Sequence, residues 1–303
     1  MPSVEEGVSL FASKEWASLY PTYLQAYQIS GKGDHVIGSF LMFHKSSYSL
    51  RYSITAPFAP HIGLIAKSDT EKTESKQSFW KGIHEAIAVF IEAKNDALVE
   101  FCLSTDHIDS QPYTWKGFQV RPRHTYLLDL AQSAEEILAG MSPERRKNIR
   151  KAEDDGLKVE KTKDLFRFIR VIEKTIERQG IRMNKEIFNA ILTADAIEKN
   201  RTLYICSQDG QDISAGLLVN DKERSYYLIG GYDPERSHEG AGALLLWQAM
   251  RDAKEKGNII FDFEGSMIPE VERYFRGFGG KMHTFFSIEK KNWMARMATR
   301  ARR

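Results

Sequence analysis

The sequence predicts an α+β protein of two domains, residues 1–125 and 126–303, each a mixed, mainly antiparallel sheet flanked by helices. Three observations lead there. At 303 residues the chain exceeds the usual single-domain size. Hydrophobic residues at 42% and charged residues at 28% lie in the globular range, which excludes a wholly disordered chain. The order helix, meander, helix, strand occurs in both halves, and no shorter repeat is present.

In the first half, a short helix is expected after Ser13, then strands over Tyr23 to Gln28, His35 to His44 and Ser49 to Ile54, with turns at Gly31 to Gly33 and around Ser46. Prolines at 57 and 60 break the pattern, since proline cannot donate to a central ladder, and His61 to Ala66 reads as a further strand. Lys67 to Gln77 is a loop or the fraying start of a helix. From Phe79, apolar Ile83, Ile87 and Ile91 repeat at helical spacing and predict an amphipathic helix to about Lys94. Ala97 to Cys102 follows as a buried strand, and Arg121 to Asp129 is a strand crossing between the halves.

In the second half, Ser133 with Glu136 forms a capping box, and Ser142 before Pro143 starts a second helix, where proline gives up no needed hydrogen bond. Gly156 ends that helix. Leu157 to Lys161 is a strand, Leu165, Phe168, Ile169, Ile172 and Ile176 mark a helix, and Met183 to Glu198 reads as another. Strands follow over Thr202 to Ser207, Ser214 to Asn220 and Ser225 to Gly231, antiparallel because turns at Asp209-Gly210 and Asn220-Asp221 join them. A helix over Ala241 to Glu255, a strand over Ile259 to Phe263, a short helix over Pro269 to Phe275 and a strand over His283 to Ile288 complete the chain.

Lys and Arg number 43 against 41 for Asp and Glu, so the net charge of +2 implies no DNA partner, and any nucleic-acid footprint must be local. Cys102 and Cys206 lie far apart in apolar runs and read as buried thiols. No histidine spacing suits a metal, so none is expected. Residues 1–10 lack a signal-peptide pattern and no apolar run is long enough to span a bilayer, so a cytoplasmic protein is expected.

The turn Ser237 to Gly242 lies between a strand and a helix, where glycines let backbone N–H groups approach a pyrophosphate at the helix's positive end. It resembles the coenzyme A loop of the GNAT acyltransferases, whose element order the second half also follows. Ser237 stands where that family has Arg or Gln, and Arg236 is one position early. A plain packing turn is the competing explanation. Further segments resemble the FemAB-like branch, tandem GNAT proteins that include peptidoglycan-bridge aminoacyltransferases and bacterial acetyltransferases. They are Val8 to Trp16, Trp115 to Phe118, Thr125 to Asp129, Arg145 to Ala152 with Gly156, Phe261 to Ser266, and Tyr274 to Gly280. Two tandem GNAT domains are what this resemblance implies.

Acyl transfer needs a base for the amine, donors for the oxyanion and an acid for the leaving group. Asp262 and Glu264 are the candidate bases, expected to face opposite sides of the sheet so that only one looks into a cleft. Either could instead cap a turn. The resemblance makes Tyr274 the candidate acid, gives Phe275 and Arg276 the transfer-site pair of the Fem enzymes with Arg for the usual Lys, and assigns oxyanion donors to Ile229 and Gly230. With Arg236, Ser237, Gly240 and Gly242 these form the acyl-donor set, and Ser266 and Phe278 join Phe275 on the substrate side. Arg146 and Arg150 share a basic helix face able to hold phosphates, unless that face is simply solvated. The tail from Lys290 to Arg303 carries six basic residues, with Trp293, Met294 and Met297 at helical spacing, a pattern suited to anionic membranes or RNA, with a frayed terminus as the competing explanation.

The expected activity is direct N-acyl transfer from an acyl-CoA such as acetyl-CoA to an amine on a small molecule or cell-wall precursor. Aminoacyl transfer from tRNA is the alternative, set back by the lack of a long helical arm. A non-catalytic GNAT-like binding protein is the rival of another class.

Overall fold

The computed structural model describes residues 8–47, 50–68, 70–180, 183–265, 267–293 and 295. The first stretch begins with α1 (Lys14–Ala17), capped by the Ser13 side chain accepting from the Trp16 N–H. Strands β1 (Leu24–Ser30), β2 (Val36–Ser47) and β3 (Leu50–Ile54) form the expected antiparallel meander. Of the strand expected over His61 to Ala66, only β4 (Ile65–Ala66) is a strand, paired with β2, while Ile62 accepts from the Leu41 N–H and donates to the Cys102 carbonyl. Gly63 departs from extended backbone at φ 59°, and a Cβ there would sit 2.9 Å from the Ala12 Cα.

Helix α2 (Thr73–Lys94) starts earlier than the apolar repeat indicated and buries Ile83, Ile87 and Ile91. β5 (Leu98–Cys102) lies parallel to β3. The short α3 (Gln111–Trp115), with Pro112 in its first turn, had no periodicity to announce it.

β6 (Gln119–Asp129) leads into α4 (Ala134–Gly140) and α5 (Pro143–Asp154). The Ser133 capping box and the Ser142 cap both form as the sequence indicates. Next come β7 (Lys158–Thr162) and α6 (Leu165–Gln179). The single helix expected over 183–198 is two pieces, α7 (Lys185–Thr193) and a 3₁₀ turn over Asp195–Asn200, because Ala194 is extended at ψ 125°. β8 (Arg201–Gln208), β9 (Gln211–Asn220) and β10 (Arg224–Tyr232) are antiparallel neighbours. α8 (Ala241–Glu255), β11 (Ile260–Asp262), α9 (Pro269–Arg276) and β12 (Lys281–Lys291) follow.

The chain forms two compact units, residues 1–123 with 284–303 and residues 124–283. Residues 284–303, assigned from the sequence to the second domain, group with the first unit, where β12 pairs antiparallel with β5. Within the first unit the core gathers Phe40, Ile87, Phe101, Tyr113 and Ile288. In the second, the strand order is β6, β11, β10, β9, β8, β7, with β10 and β11 parallel and the other pairs antiparallel. Its core joins α4, α5, α8 and α9 to one sheet face through Ile149, Leu245, Phe261, Phe263, Phe275 and Phe278. Cys206 is buried and Cys102 half-buried, and the two form no disulfide.

Candidate functional site

The second unit has a break in its sheet. β10 pairs with β11 only through Arg224, Tyr226 and the residue between them, then runs on to Tyr232 beside β9 alone. One extra residue on β10 between Tyr227 and Ile229 forms a bulge, which bends the strand away from its parallel neighbour. Alternate N–H groups of the segment holding Ile229 and Gly230 therefore face away from β9. A Cβ on Gly230 would lie 2.5 Å from the Tyr227 Cζ, so the glycine makes room for the ring. Tyr227 was not singled out from the sequence. Its hydroxyl bonds to none of the described residues, and burial raises its pKa. Tyrosine in an apolar strand carries no sequence signal beyond core packing.

β11 ends at the same break. Phe261 and Phe263 point into the core, so Asp262 between them takes the other face, where it is 6% exposed. Its Oδ1 accepts from the Thr125 hydroxyl at 2.6 Å and from the Glu264 N–H at 2.9 Å. Glu264 adopts φ 60° and Gly265 φ 62°, a left-handed exit from the strand. The expectation that the two carboxylates face opposite sides is corrected here. On a regular strand residues two apart share a face; here β11 ends at Asp262, and Glu264 lies in the left-handed turn beyond it, close enough for the Asp262 charge to raise its proton affinity.

Glu264 Oε1 is enclosed and has no hydrogen-bond partner among the described residues. Burial, then the neighbouring Asp262 charge, push its carboxyl well above the usual range, against the opposing charge of Arg224. Burial also raises Asp262, opposed by Thr125, the Glu264 N–H, Arg224 and His283.

On the core face, Tyr274 packs edge-on against Phe278 at 5.2 Å, with the buried Arg145 guanidinium 4.6 Å from its ring centre. A Cβ on Gly242 would lie 2.9 Å from the Tyr274 hydroxyl, so that hydroxyl sits at the start of α8. Phe278 is fully buried and stacks on Phe263, and Phe275 packs between Phe263 and Tyr227. Both brace the strand end from the core side, and Phe278 has no surface to offer a substrate. Arg276 is exposed and pairs with Glu272 Oε1 at 2.9 Å, which also accepts from the Tyr126 hydroxyl.

The glycine turn is more heavily engaged in packing than its sequence suggests. A Cβ on Gly240 would lie 2.9 Å from the Ala152 Cβ and closer still to the Asn148 carbonyl oxygen, so this glycine lets α8 cross α5 at short range. Its N–H donates to His238 Nδ1 at 3.0 Å, and His238 Nε2 meets Asp155 at 3.0 Å. Arg236 and Ser237 are exposed. On the basic helix, Arg146 donates to the Ala139 and Met141 carbonyls at the end of α4, whereas Arg150 is exposed. Ser266 and the tail beyond residue 295 lie outside the described residues. Among the described residues, no group of three or more acidic, histidine or cysteine side chains is placed to hold a metal, and no helix is long and apolar enough to cross a membrane.

A family model described as an acetyltransferase (GNAT) domain matches residues 143–276, and the FemAB family model matches residues 88–194. Comparison with curated proteins returns no match. Among solved structures, FemX superposes with a TM-score of 0.66 at 16% identity, covering 92% of each chain. The C-terminal domain of a putative lysylphosphatidylglycerol synthetase from Agrobacterium fabrum gives 0.56 at 11% identity, covering 90% of this chain and 87% of that one. A tandem GNAT protein from the clavulanic acid biosynthesis pathway gives 0.54 at 11%, covering 88% and 82%. At these identities the likeness is one of fold. The fold and the family matches together define an acyltransferase of the GNAT class. Within that class the chain is similar to the FemAB-like tandem GNAT proteins, through the FemAB match over residues 88–194 and the fold it shares with FemX.

Proposed function

We propose that this enzyme transfers an acyl group from acyl-coenzyme A to an amine by direct attack, with Glu264 as the proton acceptor. The observation that carries the reading is Glu264 itself, a half-buried residue with one enclosed, unpartnered carboxyl oxygen and raised proton affinity at the point where β10 leaves β11. As the amine nitrogen bonds to the donor carbonyl carbon, its proton passes to Glu264. N–H groups of β10 around Ile229 and Gly230 stabilise the oxyanion, and Tyr274 supplies a proton to the departing sulfur. Base and acid then work from opposite faces of the sheet, which the break between β10 and β11 joins.

The donor's phosphates would lie at the first turn of α8, near Arg236, Ser237 and Gly242, where a helix presents unpaired N–H groups. The acceptor is the amine of a small molecule or cell-wall precursor, with the exposed Arg150 available to a phosphate it carries.

A second reading has its own observation. Gly240 is closed by α5 and Gly242 by the Tyr274 hydroxyl, and Ser237 stands where the GNAT loop has Arg or Gln, which together favour an aminoacyl-tRNA donor. Thermal shift with acetyl-CoA and with aminoacyl-tRNA separates the two. Stabilisation by acetyl-CoA supports the first, stabilisation by aminoacyl-tRNA alone replaces it with the second, and stabilisation by neither overturns both.

A further inference from the structure

We infer that Thr125 and Asp262 act as positioning residues, holding Glu264 in its left-handed turn and keeping an anion beside its carboxyl. Thr125 lies on β6, distant in sequence from both acids, and opens one of the segments that resemble the FemAB-like branch, with no role expected of it there. A residue other than glycine at φ 60° is uncommon and persists only where its surroundings over-determine it. Two constraints do so here. The Glu264 N–H is tied to Asp262 Oδ1 at 2.9 Å, and that same oxygen is tied to the Thr125 hydroxyl at 2.6 Å. Gly265 then passes so close to β6 that a Cβ would lie 2.8 Å from the Thr125 Cα. Thr125 therefore fixes the strand exit twice, through its hydroxyl and through its backbone.

An Asx turn at a surface needs only the first of these bonds. Here the aspartate is buried, and its Oδ1 accepts two donors, an arrangement that favours the ionised carboxylate. The charged groups facing the pair are Arg224 from β10 and His283 from β12, both of which favour an anionic Asp262. β6 contributes the Thr125 hydroxyl and the His124 carbonyl. With Asp262 anionic, the second carboxyl beside it holds its proton more tightly, and Glu264 becomes the stronger base. Asp262, one of the two candidate bases in the sequence, thus acts through Glu264 and needs no contact with substrate. The catalytic consequence rests on Glu264 as proton acceptor; the positioning geometry does not.

The test follows the Glu264 carboxyl directly, by ¹³C NMR titration of the full chain labelled at the glutamate δ-carbon, with the signal assigned by its loss in Glu264→Gln. Asp262→Asn keeps an acceptor oxygen for both donors and removes the charge. It is expected to lower the Glu264 midpoint by about 1 unit or more, and to move the acidic limb of the rate profile the same way. Thr125→Val is expected to reduce kcat about tenfold with KM for the donor unchanged, and Thr125→Ser to restore it. An unchanged Glu264 midpoint in a folded Asp262→Asn protein overturns the electrostatic part. A Thr125→Val enzyme with wild-type kcat overturns the positioning part. Wild-type turnover by Glu264→Gln overturns the base assignment alone, since the NMR midpoint is read independently of activity.

Discussion

Replacing Gly240 by alanine asks whether the glycine turn before α8 is a packing device or a ligand cradle. The added methyl would stand 2.9 Å from the Ala152 Cβ and nearer still to the Asn148 carbonyl oxygen. Carbon atoms in contact prefer about 3.5–4.0 Å, so α5 and α8 must part by roughly 1 Å. The obstacle includes backbone and cannot rotate away. Overpacking of this kind costs about 1–3 kcal/mol, and each kcal/mol lowers the melting midpoint of a unit this size by about 2–4 °C. Gly242→Ala is the internal control, because its methyl would meet only the end of the Tyr274 side chain at 2.9 Å. It should cost less stability. Urea and thermal unfolding of both variants read the difference. Unchanged stability in Gly240→Ala, with selective loss of donor binding, would refute the packing argument and restore the turn as a phosphate cradle.

Two further predictions concern ionisation. Glu264 has its folded pKa raised, so the stability it contributes is complete below the ordinary carboxylate value and is lost as pH rises through the folded one. Glu264→Gln should therefore match the wild type near pH 4 and exceed it at neutral pH by about 1–3 kcal/mol, as read by urea unfolding across pH. In the first unit, burial holds His84 down to about 4 from 6.5, beside His107 and the Tyr113 hydroxyl. A depressed value means stability is full above 6.5 and is lost as pH falls toward 4, by about 3 kcal/mol for this one group. His84→Gln should flatten that slope in acid unfolding curves. Finally, Arg145→Met should loosen the Tyr274 ring, lowering kcat while leaving the acidic limb of the rate profile in place, because the charges that act on Glu264 are those of Asp262 and Arg224.

The element order was legible wherever local chemistry decides it. Ser133, Ser142 and Gly156 punctuate α4 and α5, and the Asp209-Gly210 turn joins β8 to β9 as a hairpin. Where tertiary packing decides, the sequence was silent or misleading. Nothing local says that Gly63 at φ 59° breaks the strand expected over residues 61–66, or that Ala194 splits a helix. The site divides the same way. Asp262 and Glu264 were found from residue type and strand-end position, but the left-handed turn that puts both on one side comes from Thr125 and His124 on a strand more than a hundred residues earlier. Arg146, within the basic run that starts at Arg145, looked like a phosphate grip because charge runs show no partners in sequence. In the fold, Arg145 lies against Tyr274 and Arg146 caps α4. Tyr227 was invisible for the opposite reason, since a tyrosine in an apolar strand looks like core until the strand bulges.

The central claim is that Glu264 accepts the amine proton, and the pH dependence of acyl transfer in wild type and Glu264→Gln tests it most directly. The wild type should show an acidic limb with a midpoint above the ordinary carboxylate range. Glu264→Gln should lose that limb and about 10²–10⁴-fold in kcat/KM, with binding of the acyl donor retained. A Glu264→Gln enzyme that keeps both the limb and the wild-type rate would contradict the account.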